Sequence, residues 1–183
     1  MVKINFGCGL EQKLPGWINV DSNFAAAPDV LADLSRDMPF PSASADFIFS
    51  EAFLEQLDIE QSKHFLRECR RVLKPGGVMR LLAADLEKLL RTYLHEPEWL
   101  VETWDITVGT PLTTRSACEV VNLGIRLGQF FFDQQTFRLL AKECGFRVEN
   151  VNYGQSDFPE LRNLDIRRPE QSVNMYFECF PAA

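Results

Sequence analysis

Val2-Lys3-Ile4-Asn5-Phe6-Gly7-Cys8-Gly9, followed by Trp17-Ile18-Asn19-Val20-Asp21, is the stretch that decides the architecture. Val2–Phe6 is apolar, β-branched and ended by glycine, so it reads as a short buried strand. Gly7-Cys8-Gly9 makes a tight turn, and Trp17–Val20 is a second strand closed by Asp21. Glycines let the backbone turn sharply and let a ligand approach the peptide closely. An acid at the end of the next strand can bond both hydroxyls of a ribose. Together these features point to a nucleoside-containing ligand. A dinucleotide fingerprint would need G-x-G-x-x-G, with a pyrophosphate facing a helix amino terminus. Here the third glycine is missing and Glu11 puts negative charge where a pyrophosphate would lie. Pro15-Gly16 also interrupts the short connection to Asp21. NAD and FAD are disfavoured, and a ligand without phosphate is permitted.

Working outward, Asp29–Leu34 is a third short strand, and Asp46–Ser50 a fourth beyond the loop Met38-Pro39-Phe40-Pro41. Ile59–Leu73 is the clearest helix. Ile59, Phe65, Leu66, Cys69, Val72 and Leu73 recur at helical spacing. Asp58 and Gln61 fit a capping box, Arg70, Arg71 and Lys74 suit the negative end of the dipole, and Pro75-Gly76-Gly77 stops it. A strand at Gly77–Ala84 precedes a helix at Asp85–Leu94. A helix at Gln134–Cys144 precedes strands at Phe146–Tyr153 and Ser172–Phe180. Such alternation predicts a mainly parallel α/β sheet with helices on both faces. Between Glu96 and Asp133 no strand is visible, although Cys118–Leu127 reads as helical. With Trp99, Trp104 and Phe130-Phe131-Phe132, this region is either a lid or binding segment, or extra helical packing across the sheet.

The 183 residues fit one domain, residues 1–183, with a helical or loop insertion at about 96–132. Apolar residues at 46% and charged residues at 25% describe an ordinary globular chain rather than a disordered one. The net charge of −7 opposes phosphate backbones, so a nucleic-acid target is disfavoured. The five cysteines are odd in number and widely spaced, and there are only two histidines, so neither a disulfide framework nor a metal site is expected. No basic-then-apolar leader and no run of eighteen apolar residues is seen, which makes a reducing cytoplasm, away from membranes, the expected location.

The chain resembles the class I S-adenosylmethionine (SAM)-dependent methyltransferases, of the small group labelled methyltransferase type 11. The likeness rests on Asn5-Phe6-Gly7-Cys8-Gly9, Pro15-Gly16-Trp17-Ile18-Asn19-Val20-Asp21, Asp33-Leu34 and Pro39-Phe40-Pro41. It continues through Ser44–Ser50, Leu54-Glu55-Gln56-Leu57 and Arg70-Arg71-Val72-Leu73-Lys74-Pro75-Gly76-Gly77. The first half matches densely; the second thins to Leu140–Phe146 and the final strand. The resemblance implies a Rossmann-like seven-stranded, mostly parallel sheet with the last strand antiparallel, and SAM as cofactor with S-adenosylhomocysteine (SAH) as product. It implies that the Phe6, Gly7, Cys8, Gly9 turn wraps the methionine part and that Asp21 bonds the ribose. Asp33 and Leu34 would meet the adenine, and Ser50 and Glu51 would face the sulfonium and the acceptor. Asp21 could also serve only as a turn residue, and Asp33 only as a cap.

Methyl transfer from a sulfonium is an in-line displacement, to which a protein contributes mainly alignment and water exclusion. A hydroxyl or carbon acceptor also needs a base. Glu51 and Asp85, both near strand carboxyl ends, are the candidates. Two departures from the family concern this catalytic side. Gln56 stands where relatives commonly carry histidine, and Phe130–Phe132 then Asp133 stand where a second histidine often precedes the late helix. Glutamine hydrogen-bonds but is no base near neutral pH. The expected activity is methylation of a small-molecule acceptor. The alternative is a binding or regulatory module of the same fold, acting through a protein partner. A nicotinamide-dependent oxidoreductase ranks last. The carboxyl-terminal strand ending in Phe180-Pro181 could be an edge that pairs with a second subunit in a homodimer.

Overall fold

A computed structural model describes residues 1–182. The elements in order are β1 (Lys3–Phe6), β2 (Ile18–Asp21), β3 (Val30–Leu31), β4 (Ala45–Glu51), α1 (Ile59–Val72) and β5 (Leu73–Ala84). They continue with α2 (Leu86–His95), α3 (Pro97–Thr107), α4 (Ala117–Leu127), α5 (Gln134–Glu143), β6 (Phe146–Asn150) and β7 (Asn174–Pro181). All seven strands join one sheet in the order β3-β2-β1-β4-β5-β7-β6. Only β7 runs antiparallel to its neighbours. The chain winds outward from β1 to β3 and then returns to place β4 on the other side of β1. That reversal opens a crevice at the carboxyl ends of β1 and β4, where open α/β sheets bind ligands.

The strand β7 is not an edge. It pairs with β5 from Met79↔Cys179 to Ala84↔Asn174, and with β6 from Phe146↔Pro181 to Asn150↔Phe177. Both of its backbone ladders are thus taken, and the edges of the sheet are β3 and β6. The expectation that this strand could recruit a second subunit is corrected accordingly.

The helix α1 forms as its sequence dictates. Asp58 accepts from the Gln61 N–H while the Gln61 side chain accepts from the Asp58 N–H, completing the capping box. Its buried stripe of Phe65, Leu66, Cys69 and Val72 packs against Ile4, Phe6, Ile48 and Met79. Phe137, Leu140 and Ala141 of α5 complete this core, with Phe137 stacked on Phe177. Each such side chain contributes about 1.5–3 kcal/mol on burial. The basic cluster after α1 has structural partners. Arg71 donates to Glu68 and to the carbonyls of Met38 and Phe40, tying down the proline loop, and Lys74 pairs with Asp46 at 2.8 Å.

The helical cover is uneven. On the opposite face, Trp17, Phe47, Phe49, Leu161 and Tyr176 form a second core closed by Leu14, Tyr153 and Phe158, residues of loops and of the 3-10 turn Pro159–Leu161. The segment from β6 to β7 is held there by Arg80, which is fully buried. Arg80 forms a two-pronged ion pair with Asp165, approaches Glu178 at 3.4 Å, and donates to the carbonyls of Asn152 and Gln155. A buried guanidinium is tolerated only when so fully bonded.

Between α2 and α5, α3 and α4 build a third apolar cluster of Leu100, Trp104, Ala117 and Val120 with Leu89 of α2. Neither lies across the sheet. They stand over the carboxyl ends of β4 and β5 and partly roof a cavity there. No helix among the described residues is long and apolar enough to cross a membrane.

Candidate active site

Two cavities of about 420 Å³ each adjoin at the carboxyl edge of the sheet, and Gln56 lines both. The first lies against the glycine turn. Gly7 donates to the Val20 carbonyl at 2.9 Å, and Gly9 donates to the Asp21 carboxylate at 2.8 Å. The other Asp21 oxygen accepts from Asn23 N–H at 2.8 Å, which leaves lone pairs of both oxygens toward the cavity. Gly7 has φ +72°, and a Cβ there would come within 2.8 Å of Phe53, so the turn requires glycine on both counts. Asp33 accepts from the Ser35 hydroxyl and N–H and from Arg36, which hold its carboxyl below the usual range. Leu34 supplies an apolar wall.

The structure thus brings Gly7, Gly9, Asp21, Asp33 and Leu34 together around one cavity. Phe6, Cys8 and Ser50 are buried behind it and shape the turn rather than line the space. Burial, with Asp21 beside it, pushes the Cys8 thiol up and keeps it protonated. Two carboxylates and no lysine or arginine line this cavity. Such a lining repels a pyrophosphate and suits a ligand with a ribose and cationic groups. Its volume falls within the range of small-ligand sites, about 300–1,000 Å³.

The second cavity is mostly apolar and roofed by α3 and α4 through Leu100, Trp104 and Val120. Its floor is Ala52, Glu55 and Ala84, at the ends of β4 and β5. Segment 128–130 seats the roof on this floor. Gln129 donates from its backbone to the Glu55 carbonyl at 2.8 Å and from its side chain to the Gln56 carbonyl at 2.7 Å. Contact is so close that a Cβ on Gly128 would meet Phe131 at 2.6 Å and the Glu55 carbonyl at 2.9 Å. Phe130 and Phe132 pack against the main core, and Phe131 faces the cavity.

A third wall comes from the segment before β7, which presents Arg167, Ser172 and Val173, and from Asn174 at the start of β7. Five hydrogen bonds position it besides the Arg80–Asp165 pair. The buried Glu51 accepts from the N–H groups of Ile166 and Arg167, at 3.1 and 2.9 Å. Tyr176 donates to the Arg167 carbonyl at 2.6 Å, and burial pushes its phenol up to about 12. Lys88 donates to the carbonyls of Pro169 and Ser172.

Glu51 and Asp85 therefore sit differently from the sequence expectation. Glu51 lines neither cavity. Its oxygens are occupied by Gln12, by two backbone N–H groups and by Arg167 at 3.6 Å. Asp85 caps α2 through the N–H groups of Glu87 and Lys88, accepts from Gln134, and lines neither cavity. The acid that does line the second cavity is Glu55. The residue is only half-buried, yet its Oε2 is shut off from solvent and has no side-chain partner. Desolvation raises its pKa to about 6, against its own and the Ala84 backbone N–H groups and the charge of Arg167, with Glu51 adding to the rise. Sequence reasoning passed over Glu55, Arg167 and Asn174. The one signal available was the acid of Leu54-Glu55-Gln56-Leu57, set between two leucines that are both buried. Gln56, in the family's histidine position, donates to the Ala52 carbonyl at 2.8 Å at the junction of the cavities.

A reversing parallel sheet with an antiparallel final inner strand, a glycine turn and an acid closing β2 defines the class I SAM-dependent methyltransferase fold. Comparison with known proteins agrees. Residues 15–81 match the family described as a methyltransferase domain. No curated protein sequence matches the chain. Among solved structures, the chain is similar to one in the complex between the Haloferax volcanii Trm112 methyltransferase activator and a methyltransferase. The TM-score is 0.59 and the identity 16%, over 100% of this chain and 83% of that one. It is also similar to a Thermotoga maritima SAM-dependent methyltransferase described as a possible histamine N-methyltransferase, at TM-score 0.56 and 17% identity, over 98% and 81%. The DhpI–SAH complex matches at TM-score 0.56 and 10% identity, over 98% and 76%. At these identities the likeness is one of fold. The resemblance read from the sequence, and the seven-stranded sheet it implied, are borne out.

Proposed function

We propose that the protein is a SAM-dependent methyltransferase that modifies a small-molecule acceptor held in the roofed cavity. The observation that carries this reading is the pair of adjoining cavities: one acidic and ribose-compatible beside the glycine turn, the other mostly apolar and partly roofed, with Gln56 between them. A module that only holds the cofactor has no use for the second. When bound, SAM supplies an activated methyl group on a sulfonium. Gly7 and Gly9 would let it approach the turn, Asp21 would accept from the ribose hydroxyls, and Asp33 and Leu34 would meet the adenine. Leu100 and Trp104 help exclude water from the acceptor side, which raises the value of every charge there. Glu55 takes the role first expected of Glu51 or Asp85, that of holding the proton released by the acceptor. With five free thiols in the described chain, a reducing cytoplasm suits the protein.

Calorimetric titration with SAH tests the reading without knowledge of the acceptor. Native protein is expected to bind in the micromolar range, and Asp21→Ala to weaken binding by about tenfold or more, the scale of one or two lost hydrogen bonds to a charged group. A folded native protein that binds no SAH would overturn it.

A further inference from the structure

We infer that the acceptor is an apolar molecule that carries a carboxylate, and that the Arg167 guanidinium in the roofed cavity binds that carboxylate. This rests on the methyltransferase reading and adds a substrate class and a specificity-determining residue to it. The observation is an arginine without a side-chain hydrogen bond. Arg70, Arg71, Arg80 and Arg138, the other buried or half-buried arginines, each donate at least one such bond to the protein. The Arg167 side chain donates none among the described residues. Its ion-pair partner there, Glu51, stands 3.6 Å away, beyond hydrogen-bond distance. The guanidinium is also within reach of a ligand. Arg167 lines the cavity, 29% of its side chain is exposed, and none of its nitrogens is sealed off from solvent.

The backbone of Arg167 is held on both sides. Its N–H donates to Glu51 at 2.9 Å, and its carbonyl accepts from Tyr176 at 2.6 Å. The root of the side chain is thus fixed before any ligand arrives, which lowers the ordering cost of binding. A guanidinium presents its N–H donors as a planar fork that matches a carboxylate. Glu51 does not use up that fork, because its oxygens already accept from Gln12 and from the N–H groups of Ile166 and Arg167. The cofactor cavity carries Asp21 and Asp33 and no cation, so an anionic group finds its counter-charge in the second cavity and not in the first. The walls of Leu100, Trp104, Val120 and Phe131 suit a ring or hydrocarbon body beside it. Glu55, the other ionisable side chain of this cavity, opposes an anion and does so less when protonated.

The test compares 2-naphthoate with 2-naphthamide, which has the same shape and no charge. Each is titrated into the native protein at pH 6, where about half of Glu55 is protonated and the naphthoate is still ionised, with and without saturating SAH. Native protein is expected to prefer the naphthoate by about tenfold or more, the scale of hydrogen bonds between charged groups. Arg167→Met should bring the two probes within about threefold of each other while SAH affinity stays within about twofold of native. The backbone bonds to Glu51 and Tyr176 survive that substitution. Should it nonetheless fail to fold, Arg167→Gln carries the same comparison. Equal affinity for the two probes, no binding of either, or a preference that survives loss of the guanidinium would each overturn the proposal. If the naphthoate preference is intact but SAH does not bind, the carboxylate site stands and it is the methyltransferase reading that falls.

Discussion

Replacing Glu55 by glutamine separates the cost of its burial from its use. The carboxyl has an ordinary value of 4.5 in the unfolded chain and about 6 in the fold, raised chiefly by desolvation. Between those values the folded state binds more protons than the unfolded one, so stability falls as pH rises through the window from 4.5 to about 6. Above it the ionised buried carboxylate destabilises the fold by about 2 kcal/mol, at about 1.4 kcal/mol per pH unit. Below 4.5 the group is protonated in both states and the penalty vanishes. Glutamine keeps the shape and carries no charge. Glu55→Gln should therefore be more stable than native by about 1–2 kcal/mol at neutral pH and indistinguishable near pH 4. Urea unfolding at the two pH values, read as the midpoint at constant slope, measures this directly. Methyl transfer should meanwhile fall by about 10²-fold or more, the contribution of a general base. Native activity should decline as pH falls through about 6, where the carboxyl takes up its proton. A variant less stable than native at neutral pH would refute the reasoning, because Glu55 would then be a structural partner of Arg167 rather than a carboxylate held without one.

Two further substitutions test how the walls are set. Arg80→Met should destabilise the fold by about 3–5 kcal/mol, since it leaves the buried Asp165 without its partner; adding Asp165→Leu should recover much of the loss in a double-mutant cycle, and additive losses would show the pair to be uncoupled. Gly128→Ala should cost about 1–3 kcal/mol from the overlap with Phe131 and the Glu55 carbonyl. SAH affinity should stay within about twofold of native, because the overlap lies at the second cavity, and a loss of SAH binding in a folded variant would argue against separate cavities.

Short-range chemistry in the sequence was enough for much of this protein. The β1 strand, the Gly7–Gly9 turn and the acid closing β2 lie within nineteen consecutive residues, Lys3 to Asp21, and could be read together. Asp58 and Gln61 announced the start of α1 because a capping box spans only four residues. The helix α3 escaped because Thr103 sits in its buried stripe beside Leu100 and Trp104, and that polar residue masks the apolar period. Contacts between distant residues were not legible at all. Arg80 meets Asp165 across 85 positions, and Glu51 meets Arg167 across 116. Only folding turns an ordinary surface-type acid into a tie that spans the sheet. The same holds for Glu55, whose raised pKa comes from the elements packed around it. The sequence by itself determined the individual strands, the capped helix α1 and the glycine turn, since each depends on residues close in the chain. The tertiary structure alone decided which of several carboxylates faces a cavity, because desolvation depends on every element packed around the group.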